Sequence, residues 1–401
     1  MKSMVDLLDL QYREMLKTSL TLFFIVSVIF STIYTPQAIL PTLQEQFHLS
    51  MAQTNLLLSG MLFVLMIATP FYASFIRRFE KKKIMMVALF FLSLALLLST
   101  FARSYEMLLF SRLIQGVFLP AITATMLSYV QEIYPKEHRG LGMGIYMAST
   151  AFGAVMGRLL AGWITYLYSW REAFGVFALL LLVALLAMKL RFPTTQNPLE
   201  SETSVPNKAR LKPSFPMNLK IFAILLIPMV VFFSFMAITT FVTYQLAQAP
   251  FLLNEAQLGN LFLVLLLAVV VSPLAGKYSD RFGRVKILFL ALFSLILGML
   301  LTLDSSLISI IVGMGLVTIG MFSVQSVTPT YLGDLVPENR STMAVMYQTF
   351  FYFGGAMGTI LPVLAWKYGG YDGVVMLSLS LVVLGMSPFF VIMVKRRLDE
   401  N

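Results

Sequence analysis

Apolar positions along this chain neither alternate nor keep to one face of a helix. They run together in long blocks, broken by short clusters of charge, proline and glycine. The block from 218 to 247 carries a single charge, Lys220. It exceeds the roughly twenty residues that cross ~30 Å of hydrocarbon. Twelve such spans are predicted, at approximately 18–40, 52–76, 84–102, 106–133, 140–166, 172–191, 218–247, 255–276, 285–303, 307–333, 342–366 and 372–394. Each is expected to be helical, because lipid offers no partner to a backbone amide. Pro36, Pro120, Pro228 and Pro329 fall inside these spans and predict kinks.

The pattern is also duplicated at an offset of about two hundred residues. Ala68-Thr69-Pro70 is echoed by Val271-Ser272-Pro273, and Ser169-Trp170-Arg171 by Gly370-Tyr371-Asp372. Gly153 and Gly157, four residues apart, are echoed by Gly354 and Gly358. Duplicated hydrophobic spans are how many carriers build two halves around a midplane site. The expected organisation is a tail over 1–17, a six-helix bundle over 18–191, a polar linker over 192–217, a second six-helix bundle over 218–394 and a tail over 395–401. The first tail is read equally as a short interfacial helix or a frayed end.

Composition narrows the class. The chain is 58% hydrophobic and 12% charged, outside the range of a water-soluble globule. Its net charge of +10 would suggest nucleic acid in a soluble protein. Here the charge sorts by loop. Arg77, Arg78, Lys81, Lys82 and Lys83 follow span two, and Lys277, Arg281, Arg284 and Lys286 follow span eight. The linker and the C-terminal tail are basic as well, whereas Arg103, Arg171 and Lys367 are the basic residues of the other side. That contrast predicts both termini in the cytoplasm and an even span count, and it explains the charge without a nucleic-acid partner. There is no cysteine, and His48 and His138 fall in predicted loops, so neither a metal site nor an enzyme is expected. A Gly-x4-Gly-Lys-Ser/Thr loop is absent, which argues against ATP as the drive.

Several residues stand out within the spans. Arg112 in span four and Arg158 in span five lie at similar depth, ~10 and ~12 Å from the outer ends. Asp and Glu are confined to span ends, so two desolvated arginines would repel unless an anion sits nearby. The pair is expected to line a cavity and attract an anionic or strongly polar group. The competing readings are snorkelling of Arg112 to the interface, and satisfaction of both by helix carbonyls and water. The repeat counterpart of Arg158 is Thr359, so packing symmetry does not demand its charge. Gly144, Gly153, Gly157 and Gly162 make a small-residue face on span five, matched by Gly354 and Gly358, and predict close packing at the interface between halves.

Two stretches carry a family likeness. The loop after span eight reads Gly276-Lys-Tyr-Ser-Asp280-Arg281-Phe-Gly283-Arg284-Val-Lys286, and span four contains Arg112-Leu-Ile-Gln115-Gly116. With twelve spans and a central linker, these resemble the major facilitator superfamily. The glycines of span five resemble that superfamily's antiporter signature, although Arg158 stands where a proline is usual and Ala161 where a glycine is. The first-half copy of the loop has decayed, with Arg77 opposite Asp280 and Glu80 opposite Gly283.

The resemblance implies an all-α integral membrane fold with two pseudo-symmetric halves of six helices each. It implies alternating access, a monomer, no cofactor, and proton-coupled efflux of a small solute driven by a proton or solute gradient. It places spans one, four, seven and ten around the cavity, where Tyr34, Gln37, Tyr129, Thr243, Tyr244, Gln325 and Tyr347 offer polar and aromatic contacts beside the arginines. It implies that Asp280, Arg281 and Arg284 form a cytoplasmic latch. Asp334 is expected to meet Arg281 or Arg284, and Glu132 the Arg77–Lys81 cluster. Uptake of an organic anion by the same fold is the alternative. A membrane-embedded enzyme or sensor is a remote one, since no cluster of acids, bases or nucleophiles is present.

Overall fold

The computed structural model describes residues 4–75, 79–134, 138–194, 219–336 and 340–399; the linker reading for 192–217 thus falls almost wholly outside the described residues. The fold is all helical. Span one is a helix Met4–Tyr34, a tighter 3₁₀ stretch Thr35–Ile39 and a short helix Leu40–Gln46. The helix begins well before position 18, so most of the predicted tail continues span one. Spans two to seven are Met51–Phe75, Lys81–Thr100, Tyr105–Ile133, Arg139–Leu167, Trp170–Arg191 and Leu219–Ala247. Span eight is Glu255–Leu261, a 3₁₀ stretch Phe262–Leu266 and Leu267–Phe282. Spans nine and ten are Arg284–Leu301 and Leu307–Leu335.

Span eleven begins as Arg340–Ile360, and the last helix is Pro362–Asp399. That last helix is broken by Gly369 and by Gly370 at φ 56°, so its first part completes span eleven and the rest is span twelve. Among the described residues, eleven helices are long and apolar enough to cross a membrane. Arg340–Ile360 is the exception, because Tyr347, Gln348, Tyr352 and three glycines dilute its apolar content.

Local chemistry sets the ends. Ser104 Oγ accepts from the Met107 amide at 3.3 Å and starts span four, and Ser169 Oγ accepts from the Arg171 amide at 3.2 Å and starts span six. Asn254 and Gln257 form a reciprocal capping box at span eight. Gly283 turns span eight into span nine at φ 94°, a conformation that disfavours a side chain.

Spans one to six pack with one another, as do spans seven to twelve, and spans two and five meet eleven and eight across the divide. The glycines correct the expected location of close packing. A Cβ on Gly153 or Gly157 would collide with the backbone of Ser27 or Ser31 in span one. One on Gly354 or Gly358 would collide with Met229 or Phe233 in span seven. These four therefore weld spans inside each half, not between halves. Gly162 alone of the set meets the other half, against the Glu255 carbonyl. Gly144 faces open space and is not a packing glycine.

Candidate functional site

Where the halves face each other at mid-depth lies a cavity of about 60 Å³. Span one contributes Tyr34, span five Arg158, and span ten Gln325, and the remaining wall is largely apolar, with Phe232, Phe235, Phe322 and Phe351 among it. Phe232 and Phe351 stack with centroids 3.9 Å apart.

Arg158 is 1% exposed. Its Nε donates to Gln37 Oε1 at 2.6 Å, and one terminal nitrogen donates to the Ala154 carbonyl at 2.6 Å. The guanidinium lies 4.0 Å from the Tyr34 ring centre and 4.9 Å from that of Phe262. Its second terminal nitrogen has no hydrogen-bond partner. A buried cation with an unused donor at a cavity wall is built to receive an acceptor.

Arg112 is a correction to the paired-arginine expectation. It is fully buried and does not line the cavity. Its nitrogens donate to the carbonyls of Leu57 at 3.0 Å, Thr32 at 2.9 Å and Ile33 at 2.8 Å, and to Gln115 Oε1 at 2.6 Å. The cause is in span one. Pro36 has no N–H for the Thr32 carbonyl four residues back, and the 3₁₀ geometry there also displaces the next helical bond. Arg112 supplies the missing donors and ties span four to spans one and two.

The other predicted cavity residues divide. Gln37 is buried just behind Arg158, and its Nε2 donates to Thr239 at 3.0 Å and Thr240 at 2.8 Å on span seven. Thr243 donates to its own helix at the Thr240 carbonyl and is not in the wall. Tyr244 lies deeper toward the end away from the basic loops, where its hydroxyl donates to Asn55 Oδ1 at 2.8 Å. Tyr347 is buried, stacks on Phe351 and keeps an unpaired hydroxyl, but falls outside the wall. Tyr129 is near the basic end, stacked on Phe192, with its hydroxyl on the Pro193 carbonyl at 2.6 Å. It is not a cavity residue, because it sits about one turn from the basic end of span four, beside Phe192 and Pro193.

Asn55, Thr240, Phe262 and Tyr352 were not read from the sequence. A lone asparagine within the apolar run of span two was the available signal for Asn55.

The two ends of the bundle differ. Away from the basic loops, hydrogen bonds join the halves: Thr42 to Glu255 at 2.8 Å, Asn55 to the Thr359 carbonyl at 2.9 Å, and Trp163 to Asn260 at 2.9 Å. At the basic end, among the described residues, the ion pairs stay within a half. Arg284 pairs with Asp334 at 2.8 Å and with Asp280 at 2.9 Å, and Lys81 pairs with Glu132. Arg281 lies over the Phe282 ring at 5.2 Å and takes no part in the Arg284 cluster. Arg77 and Arg78 lie outside the described residues. On this basic side, spans five and eight diverge and leave a crevice of about 290 Å³ beside the cavity. Among the described residues, no group of three or more acids or histidines is placed to hold a metal ion.

A helical bundle of two related halves with a buried, charged site between them and one closed end is the architecture of a membrane transporter. The family model of the Major Facilitator Superfamily matches residues 22–359 and 224–401, and the chain belongs to that superfamily. It is 28% identical to an uncharacterized MFS-type transporter, YybF of Bacillus subtilis (strain 168), over 362 residues, 88% of each protein. It is also 28% identical to the inner membrane transport protein YnfM of Escherichia coli (strain K12) over 378 residues, 92% of this chain and 89% of that protein. The fold resembles an inward-facing, occupied bacterial homolog of the human lysosomal transporter Spinster. The TM-score is 0.75 at 16% identity, covering 95% of this chain and 96% of the other. The chain is therefore a multi-pass membrane transporter of small molecules.

Proposed function

We propose that this transporter moves a small organic solute bearing an acidic or strongly polar group by alternating access. It works as a monomeric, proton-coupled exporter of the bacterial inner membrane, with both termini cytoplasmic. The observation that carries the solute reading is the free terminal nitrogen of Arg158 at the cavity between the halves. The basic loops support a cytoplasmic assignment for the end where the crevice lies. The glycine pattern of span five supports export through the superfamily likeness. Rocking of the halves would break the polar contacts around Asn55, Thr42 and Trp163 and close the crevice between spans five and eight.

Uptake of an organic anion has its own support. No carboxylate is among the residues of the cavity wall, so the solute would carry the proton itself. Proteoliposome flux of organic acids under an imposed pH gradient, in both directions, separates the two. Export driven by inward proton movement supports the first reading; accumulation with the protons supports the second. Flux that ignores the gradient in both directions removes proton coupling. The chain has no cysteine, so single cysteines at Tyr34 and Gln325 report exposure cleanly. Labelling at those sites that never changes with solute or gradient would exclude alternating access.

A further inference from the structure

The cavity at Arg158 is too small for an organic solute as a whole. About 60 Å³ accommodates a compact charged group or a few waters. The space next to it is nearly five times larger, and the two share Thr150, Ala151, Phe322 and Gln325 as a common wall. A solute whose head reaches Arg158 must therefore lay its body in the crevice between spans five and eight.

That crevice is chemically unlike the cavity. Its wall is mostly apolar, with Met143, Met147, Ala148, Ala268, Val269 and Pro273 joining the shared Ala151 and Phe322. Two of its hydroxyls are spent on the backbone, Ser326 Oγ donating to the Ser272 carbonyl at 2.9 Å and Thr150 Oγ1 to the Met147 carbonyl at 2.7 Å, and its other polar side chains are Ser272 and Gln325. A hydrophilic body would lose its water there and find little in exchange. The crevice reaches the outside of the bundle, where Met147 is 51% exposed and Val269 37%. In a membrane-spanning bundle this outer surface faces acyl chains. Gly144 stands in the crevice wall, and a Cβ added there would meet nothing within 4 Å. Its missing side chain thus serves the open space and no helix contact, unlike Gly153 and Gly157 on the same helix.

Resting on Arg158 as the anion contact, we infer that the transported solute is an amphiphilic organic anion. Its acidic head sits at Arg158 and its apolar body lies between spans five and eight. It enters sideways from the leaflet on the basic-loop side. The crevice selects for an apolar body, and the cation at its inner end selects for the charge.

The test uses the full chain in lipid nanodiscs and three probes: decanesulfonate, ethanesulfonate and decyltrimethylammonium. Sulfonates keep their charge, which removes protonation from the comparison. Thermal stabilisation is expected at a concentration at least about tenfold lower for decanesulfonate than for ethanesulfonate, with none from the cation. Gly144→Leu should shrink that ratio and Gly144→Trp should bring it near one, each with an unliganded melting temperature close to the parent. Arg158→Gln should abolish stabilisation by both sulfonates.

Equal half-saturation of the parent protein by the two sulfonates would overturn the amphiphile assignment and leave Arg158 as an anion site. A ratio unchanged in a folded Gly144→Trp protein would do the same. Stabilisation by the cation alone would instead remove the Arg158 reading itself. The parent ratio decides the point even where a variant does not fold.

Discussion

Arg112 and Arg158 are both buried arginines at similar depth in adjacent spans, yet they do different work. Arg112 spends its donors on Leu57, Thr32, Ile33 and Gln115, so it is a staple that completes a helix broken by Pro36. Arg158 is held by Gln37 and its own helix, with one nitrogen left over at the cavity. An intramembrane charge suggests function by default. What separates a structural charge from a receptive one here is the count of unused donors, not the depth.

The largest effect that would sharpen this contrast is on folding. Arg112→Leu would strand the Thr32 and Ile33 carbonyls, each worth about 1–3 kcal/mol when left unsatisfied, and would take the donor from Gln115 Oε1. Set against a total stability of about 5–15 kcal/mol, that is expected to abolish recovery of monodisperse protein by size exclusion. A well-folded Arg112→Leu carrier would show that the staple is dispensable. Arg158→Leu is expected to leave membrane content normal while proteoliposome flux falls at least about a hundredfold, since a fully desolvated charge contact is lost. Normal flux in that variant would remove Arg158 from the mechanism.

Gln37→Leu should fall between the two, with flux reduced about tenfold, because it removes both a partner of Arg158 and a link to span seven. The smallest effect is expected at Tyr34. Tyr34→Phe keeps the ring under the guanidinium and should change apparent affinity less than about twofold, whereas Tyr34→Leu should weaken it by about 0.5–2 kcal/mol. Equal affinity in those two variants would show that the ring does not position the cation.

The fold was legible because the membrane forces long apolar runs into helices and sorts basic loops to one side. Twelve spans and the doubled halves follow from such local signals, whereas the meeting of Asp334 with Arg281 or Arg284 is implied by the superfamily likeness, and Arg284 is the partner. Arg158 was legible as an oddity because its repeat counterpart, Thr359, carries no charge. The saturation of Arg112 was hidden, because it depends on which carbonyls of span one lose their donors and on which neighbour reaches them.

Tyr129 looked like a cavity residue from its span, but it lies near the basic end of that helix, against the Pro193 carbonyl. The small residues of span five announce close approach without naming the partner. Gly153 and Gly157 meet span one, whereas Gly162 meets span eight. Gly144 belongs to the same string in sequence and touches neither.

The dependence of span one on Arg112 also bears on biogenesis. Span one leaves the ribosome well ahead of span four, and until span four is synthesised the carbonyls near Pro36 lack the donors of Arg112. Meanwhile those carbonyls must be met by water or by local side chains, so span one enters lipid at a cost that Arg112 later removes.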